Sequence, residues 1–354
     1  MRCFRISFLQ APTRIPPRSK SGALLPCWRQ ILIDVNSQNS DACQERLVSK
    51  QPSSLMVDPA MFPNFVWYES AASLVASADA SLARILAIED HIVKMPVVDG
   101  YCVNCERIVP FTVFGGAMLG THINLREGMV CQACGLNARS RLLLLAASEL
   151  FASGDQRLAV MEAFSPFAVA IKRRWPTAQL SEYFGPDLIP GEVTQRTATL
   201  EPPEAARHED LMGLSYGDES LDGIIHNDVL EHVSEVTRAL REIYRVLRPG
   251  GMALFTMPWF PWLQKSLVRG RLLEDGSIDD FLPPEFHGDG LRPQGIYTFY
   301  NFGADFGDML AQAGFEKARY GVCYAPMCGF LSNNYRYGTD GLMMPSVLMA
   351  RRPL

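Results

Sequence analysis

The chain has 354 residues, 48% apolar and 20% charged, with a formal charge of −5 and a pI near 5.8. That is enough material for a real core and excludes a disulfide-stapled miniprotein. The acidic balance gives no global basic field, so nucleic-acid binding would have to rest on a local patch.

Residues 1–55 read as a leader outside the fold. Arg2, Arg5, Arg14, Arg18, Lys20 and Arg29 precede the first acid, Asp34. That is a transit-peptide composition, but Pro12, Pro16, Pro17 and Pro26 break any long amphipathic helix. A disordered or misassigned segment is therefore preferred to a working targeting signal. Apolar runs such as 142–148 fall far short of the roughly 20 residues that cross a bilayer, so no membrane span is expected. Nine cysteines without a secretory signal fit a reducing compartment, and the protein is placed in the cytoplasm.

A small module is expected over 56–150. Leu74, Val75, Leu82, Ile85, Leu86, Ile88, Ile92 and Val93 recur at helical intervals, predicting one amphipathic helix over 71–93 that ends at Pro96 and Gly100. Cys102 and Cys105 form one C-x-x-C knuckle and Cys131 and Cys134 another, with 25 residues between them. Two such pairs match tetrahedral zinc, and four thiolates saturate it, so the expected Zn2+ is structural. Cys323 and Cys328 lack this spacing and read as core or loop thiols. A second helix is expected over 139–152. Arg139 and Arg141 at its start would make a basic contact patch or, as the acidic total favours, a solvated helix start.

From 151 to 354 short apolar runs alternate with helical stretches, the pattern of an α/β domain with a parallel sheet. Strands are predicted at 158–163, 178–183, 221–226, 252–256, 315–323 and 347–351, with helices at 167–175, 235–247 and 302–314. Ligands in such sheets sit at the carboxyl ends of the strands. There the sequence places Glu162, then Glu182 twenty residues later, where an acid can accept from ribose hydroxyls. Asp210 and the pair Asn227–Asp228 follow at later strand ends. Asp228 is also a candidate helix N-cap.

The run 208–259, with its EDL, DxxLDGIIxxDVLEHV and ALREIYRVLRPGGMALFTMPW segments, resembles a class I S-adenosylmethionine-dependent methyltransferase of the type-11 kind. The resemblance implies a Rossmann-like seven-stranded sheet whose last strand is antiparallel, 315–323 and 347–351 closing it, with S-adenosyl-L-methionine as cofactor. It implies Glu162, with Ala163 and Phe164 in the turn, near the methionine moiety. Glu182 and Tyr183 would lie at the ribose, Asp210 and Leu211 beside the adenine, and Asn227 or Asp228 on the pocket floor. The family's glycine-rich turn is replaced by Ala163–Phe164–Ser165–Pro166.

The aromatic-rich segment 259–301 suits a lid over the acceptor. In it His287 is the candidate general base or acceptor-orienting group, whereas His232 is expected to orient the helix after the fourth strand. The expected function is methyl transfer to a small-molecule or glycan acceptor. The alternative is a noncatalytic zinc-containing scaffold with a degenerate methyltransferase domain. A nicotinamide-dependent oxidoreductase is disfavoured because no G-x-G-x-x-G follows the first strand.

Overall fold

The computed structural model describes residues 63–354 except 115–117, 120–121, 152–153, 196–204, 289–291, 293 and 317. The expected leader, Cys3, Cys27 and Cys43 lie outside the described residues.

The chain opens with β1 (Val66–Tyr68), α1 (Ala71–Asp79) and α2 (Leu82–Ile92). The single helix expected over 71–93 is two, bent by 72° at Ala80–Ser81. The bend divides one apolar stripe between two cores. Leu74, Ala78 and Ile85 pack on the large sheet, while Ile88 and Ile92 join the cysteine module. Among the described residues, no single helix is long and apolar enough to cross a membrane.

The module is a three-stranded antiparallel sheet of β2 (Val97–Cys102), β3 (Arg107–Thr112) and β4 (Val130–Cys131), built around Val98, Val109, Phe111, Leu125 and Met129. It leads into α3 (Ala138–Leu150), capped by Asn137, whose side chain accepts from the Ser140 amide at 2.9 Å.

The main sheet follows, with β5 (Leu158–Val160), α4 (Pro166–Arg174), β6 (Gln179–Glu182), β7 (Val193–Gln195), β8 (Ala205–His208) and β9 (Leu221–Asn227). After these come α5 (Val236–Val246), β10 (Leu247–Thr256), α6 (Phe306–Gln312), β11 (Ala318–Val322) and β12 (Ser346–Arg351). The strand order among the described residues is β1-β11-β12-β10-β9-β5-β6-β8-β7, nine strands where seven are expected. The extra strands are short antiparallel additions at the two margins, β1 on β11 and β7 on β8. Between them the parallel strands β8, β6, β5, β9 and β10 meet β12, which runs antiparallel to both β10 and β11.

Alternating side chains feed two cores, as a sheet covered on both faces requires. Ala159, Ile224, Ala253, Phe255 and Leu348 face α5 and α6, while Leu158, Val160, Ile225, Leu254 and Val347 face α3 and α4. At Gly223 a β-carbon would come within 2.7 Å of the Phe151 ring, so only glycine lets β9 lie this close to the end of α3.

Candidate active site at the strand ends

The register of β9 with β10 brings Asn227 beside Thr256 at the carboxyl edge. The Thr256 hydroxyl donates to Asn227 Oδ1 at 2.8 Å, and the Asn227 amide donates to Glu162 Oε2 at 3.3 Å. Burial raises the pKa of Glu162, opposed by Ser165, Arg139 and Asn227. Across the turn the Ala163 amide donates to Glu182 Oε2 at 3.3 Å, so the acids of the first two strand ends sit on one rim. The turn needs no glycine. Ser165 caps α4 by accepting from the Phe167 and Ala168 amides, Pro166 occupies the first helical turn, and half-buried Phe164 stands edge-on to Phe184, 6.1 Å away. Tyr183 lies against the His208 ring at 5.5 Å. Asp210 accepts from the Met212 amide at 2.8 Å, and Leu211 is buried. Glu162, Ala163, Phe164, Glu182, Tyr183, Asp210, Leu211 and Asn227 thus all fall at the carboxyl edge.

Asp228 is directed elsewhere. Its backbone has φ 51°, and its carboxylate forms a bidentate pair with Arg126 at 2.8 and 2.9 Å, with Arg139 at 3.4 Å. These cations hold its pKa far below the carboxylate range against the burial that opposes them. Asp228 therefore neither caps a helix nor leaves its carboxylate free to line a pocket. Arg139 is not a solvated helix start. It binds both oxygens of Glu127 at 2.9 and 3.0 Å and donates to Asn227 Oδ1 at 2.7 Å. Arg141 is fully buried, donating to the carbonyls of Met129, Leu136 and Cys328 with its guanidinium 4.2 Å from the Phe111 ring centre. Sequence reading missed Arg126 and Glu127, because nothing local announces a partner 102 residues away.

Beneath this network the four cysteines converge. The sulfurs of Cys102 and Cys134 are 3.8 Å apart, those of Cys105 and Cys131 3.9 Å, and all four lie within 4.8 Å of one another. The edge of a tetrahedron with zinc–sulfur bonds of about 2.3 Å is about 3.8 Å, so the donor set fits that ion. Each knuckle closes on itself. The Glu106 amide donates to the Cys102 carbonyl and the Gly135 amide to the Cys131 carbonyl, with left-handed φ at Glu106 (53°) and Gly135 (73°).

Residues 169–255 match the family described as Methyltransferase domain. This segment is similar to a methyltransferase domain. A protein of Mycolicibacterium smegmatis described as a probable S-adenosylmethionine-dependent methyltransferase is 33% identical over 94 residues, 23% of this chain and 36% of that protein. The chain thus matches about a third of the length of that curated relative. Among solved structures, the cyclase SpnF aligns over 80% of this chain and 97% of its own at 18% identity and a TM-score of 0.38. A methyltransferase from Mesorhizobium loti aligns over 61% and 98% at 15% and 0.34.

Segment 259–301 is not an open loop. It pairs Leu267–Val268 with Tyr300–Asn301, Gly270–Leu272 with Ile278–Asp280, and Phe286–His287 with Ile296–Tyr297. Several of the aromatics expected to face an acceptor pack inward. Trp259 is stacked on Tyr320 at 4.3 Å, and Tyr297 and Phe299 are buried, while Phe281 and Phe286 are exposed. Arg292 donates to the Tyr183 carbonyl at 2.9 Å and so ties this segment to the rim.

His287 lies between Glu285, 3.1 Å from Nε2, and Glu231, 3.8 Å from Nδ1. Burial alone would lower its pKa, but the two carboxylates raise it to about 10. A protonated imidazole has no free lone pair with which to take up a further proton. Asp289, two residues on, lies outside the described residues. A cleft of about 490 Å³ between Glu69–Ala71 and the α6–β11 edge contains none of these residues.

Proposed function

We propose that this protein is an S-adenosylmethionine-dependent methyltransferase acting on a small-molecule or glycan acceptor, with a structural zinc module built into the rim of its catalytic domain. The observation that carries the reading is the row of polar side chains Glu162, Glu182, Asp210 and Asn227 along the carboxyl edge of the parallel strands, inside and beside the matched segment. The donor set suits the cofactor. Glu182 would accept from the ribose hydroxyls, Asp210 and Leu211 would border the adenine, and Glu162 with Asn227 would hold the methionine end. Bound S-adenosylmethionine supplies an electrophilic methyl group on a sulfonium. The protein's part is alignment, exclusion of water by the 259–301 segment, and orientation of the acceptor. Zinc on Cys102, Cys105, Cys131 and Cys134 would fix the module, with buried Arg141 offsetting the thiolate charge.

The noncatalytic scaffold is favoured by one observation, the Ala163–Phe164 turn drawn against Glu182, where a glycine would let the backbone approach the ligand. Calorimetric titration with S-adenosylhomocysteine separates the readings. Micromolar binding that falls at least about tenfold in Glu182→Ala, the loss of about 1.4 kcal/mol, supports the enzyme. Absence of binding to the folded, zinc-loaded protein supports the scaffold.

A further inference from the structure

Glu231 is completely buried, yet neither of its carboxylate oxygens receives a hydrogen bond. Leaving a buried carboxylate without donors is costly, so the site calls for a cation. What faces Glu231 is a pair of imidazoles, with His232 Nε2 3.7 Å and His287 Nδ1 3.8 Å from Oε1. Each ring is fixed by its other nitrogen. His232 Nδ1 donates to the Tyr297 carbonyl at 2.9 Å, and His287 Nε2 donates to Glu285 Oε1 at 3.1 Å. A carbonyl or carboxylate behind each imidazole is how metal-ligating histidines are oriented and made more basic. The rings cross at 88° with centres 5.0 Å apart, and the three ligand atoms lie within 4.8 Å of one another. Bonds of about 2.1 Å would put neighbouring donors roughly 3.0–3.4 Å apart, octahedral to tetrahedral, so the two carboxylate–imidazole distances lie a few tenths of an ångström beyond that range and a small side-chain closure is needed to bind an ion.

We infer that Glu231, His232 and His287 bind one divalent first-row transition ion between the sheet rim and the 259–301 segment. Two imidazoles and one carboxylate select ions of the zinc, manganese or iron(II) kind over magnesium or calcium, and leave coordination positions open. The ion would take the place of the proton shared between His287 and its carboxylates. It would also pin the hairpin of Phe286–His287 and Ile296–Tyr297 to the turn after β9, where the Phe299 amide already donates to the Glu231 carbonyl at 2.7 Å. The open positions suit an acceptor with oxygen donors. That last role rests on the methyltransferase reading, whereas the metal site does not.

The test uses the full chain with zinc already on the cysteines. Mn2+ or Co2+ is titrated by calorimetry, and cobalt is also followed by visible absorption, where nitrogen and oxygen ligands give weak bands and thiolates intense ones. One further equivalent is expected, with weak bands and an upward shift in melting temperature. Its affinity should fall about 100-fold or more in Glu231→Gln and in His287→Ala. His287 is about one-third exposed, so His287→Ala keeps the test open should Glu231→Gln fail to fold. No further equivalent in the wild type, or unchanged affinity in the folded variants, overturns the site. S-adenosylhomocysteine binding is read in parallel, so its loss would count against the methyltransferase reading and leave the metal site standing.

Discussion

Replacing Arg126 by methionine keeps an unbranched apolar stem at a buried position and removes the guanidinium and its charge. Arg126 is 3% exposed and gives Asp228 two charge-assisted hydrogen bonds, at 2.8 and 2.9 Å, with a third to the Met257 carbonyl at 3.1 Å. Removing one partner of a buried ion pair costs about 3–5 kcal/mol, because the other charge stays buried. Asp228 keeps Arg139 at 3.4 Å, which places the loss at the lower end, about 3 kcal/mol. In an Asp228→Asn background no buried carboxylate is stranded, and Glu127, which also pairs with Arg126, keeps Arg139, so the same replacement should cost about 1 kcal/mol and the coupling is about 2 kcal/mol. Asparagine tolerates the positive φ at this position, so backbone strain does not enter the cycle. Urea unfolding of the four proteins at saturating zinc measures the coupling. A value under about 0.5 kcal/mol would refute the reasoning, leaving the apolar contacts of α3 to hold the module to the strand ends.

Stripping the metal with a strong chelator should release one zinc per chain and lower the melting temperature, and Cys102→Ser should behave like the stripped protein; elemental analysis with thermal melts checks both. Glu89 is fully buried and accepts from Ser332 at 2.8 and 2.7 Å, yet burial lifts its pKa from 4.5 to about 7. Its contribution is full below pH 4.5 and is lost as the pH rises through about 7, because the unfolded chain gives up the proton first. Stability should fall by about 3 kcal/mol over that window, and denaturation at several pH values should show the slope vanish in Glu89→Gln.

Much of the architecture is legible from periodicity, because strands buried on both faces read as short apolar runs. The apolar cores of 158–163, 221–226 and 252–256 all lie in the sheet. The break at Ala80–Ser81 is hidden, since the apolar spacing continues through it and only tertiary packing sends Ile85 and Ile88 to different cores. The convergence of the cysteine quartet is readable from its two C-x-x-C spacings. The acids at the strand ends follow from position in the sheet. The network of Arg126, Glu127 and Arg139 is not readable, because the two arginines meet Asp228 and Asn227 from 102 and 88 residues away. The clue for Glu231 is its place beside His232 directly after a strand, but its third neighbour, His287, comes from 56 residues away.

The short strands β1 and β7 have a consequence for how these molecules behave when crowded. Among the described residues, each lies at a margin of the large sheet and pairs over three residues with an antiparallel neighbour. A three-residue edge offers a passing chain few unpaired amides and carbonyls to copy, which is how natural sheets resist stacking edge to edge. Losing Val66–Tyr68 would bare the five-residue β11 instead, turning a sealed border into a template for self-association.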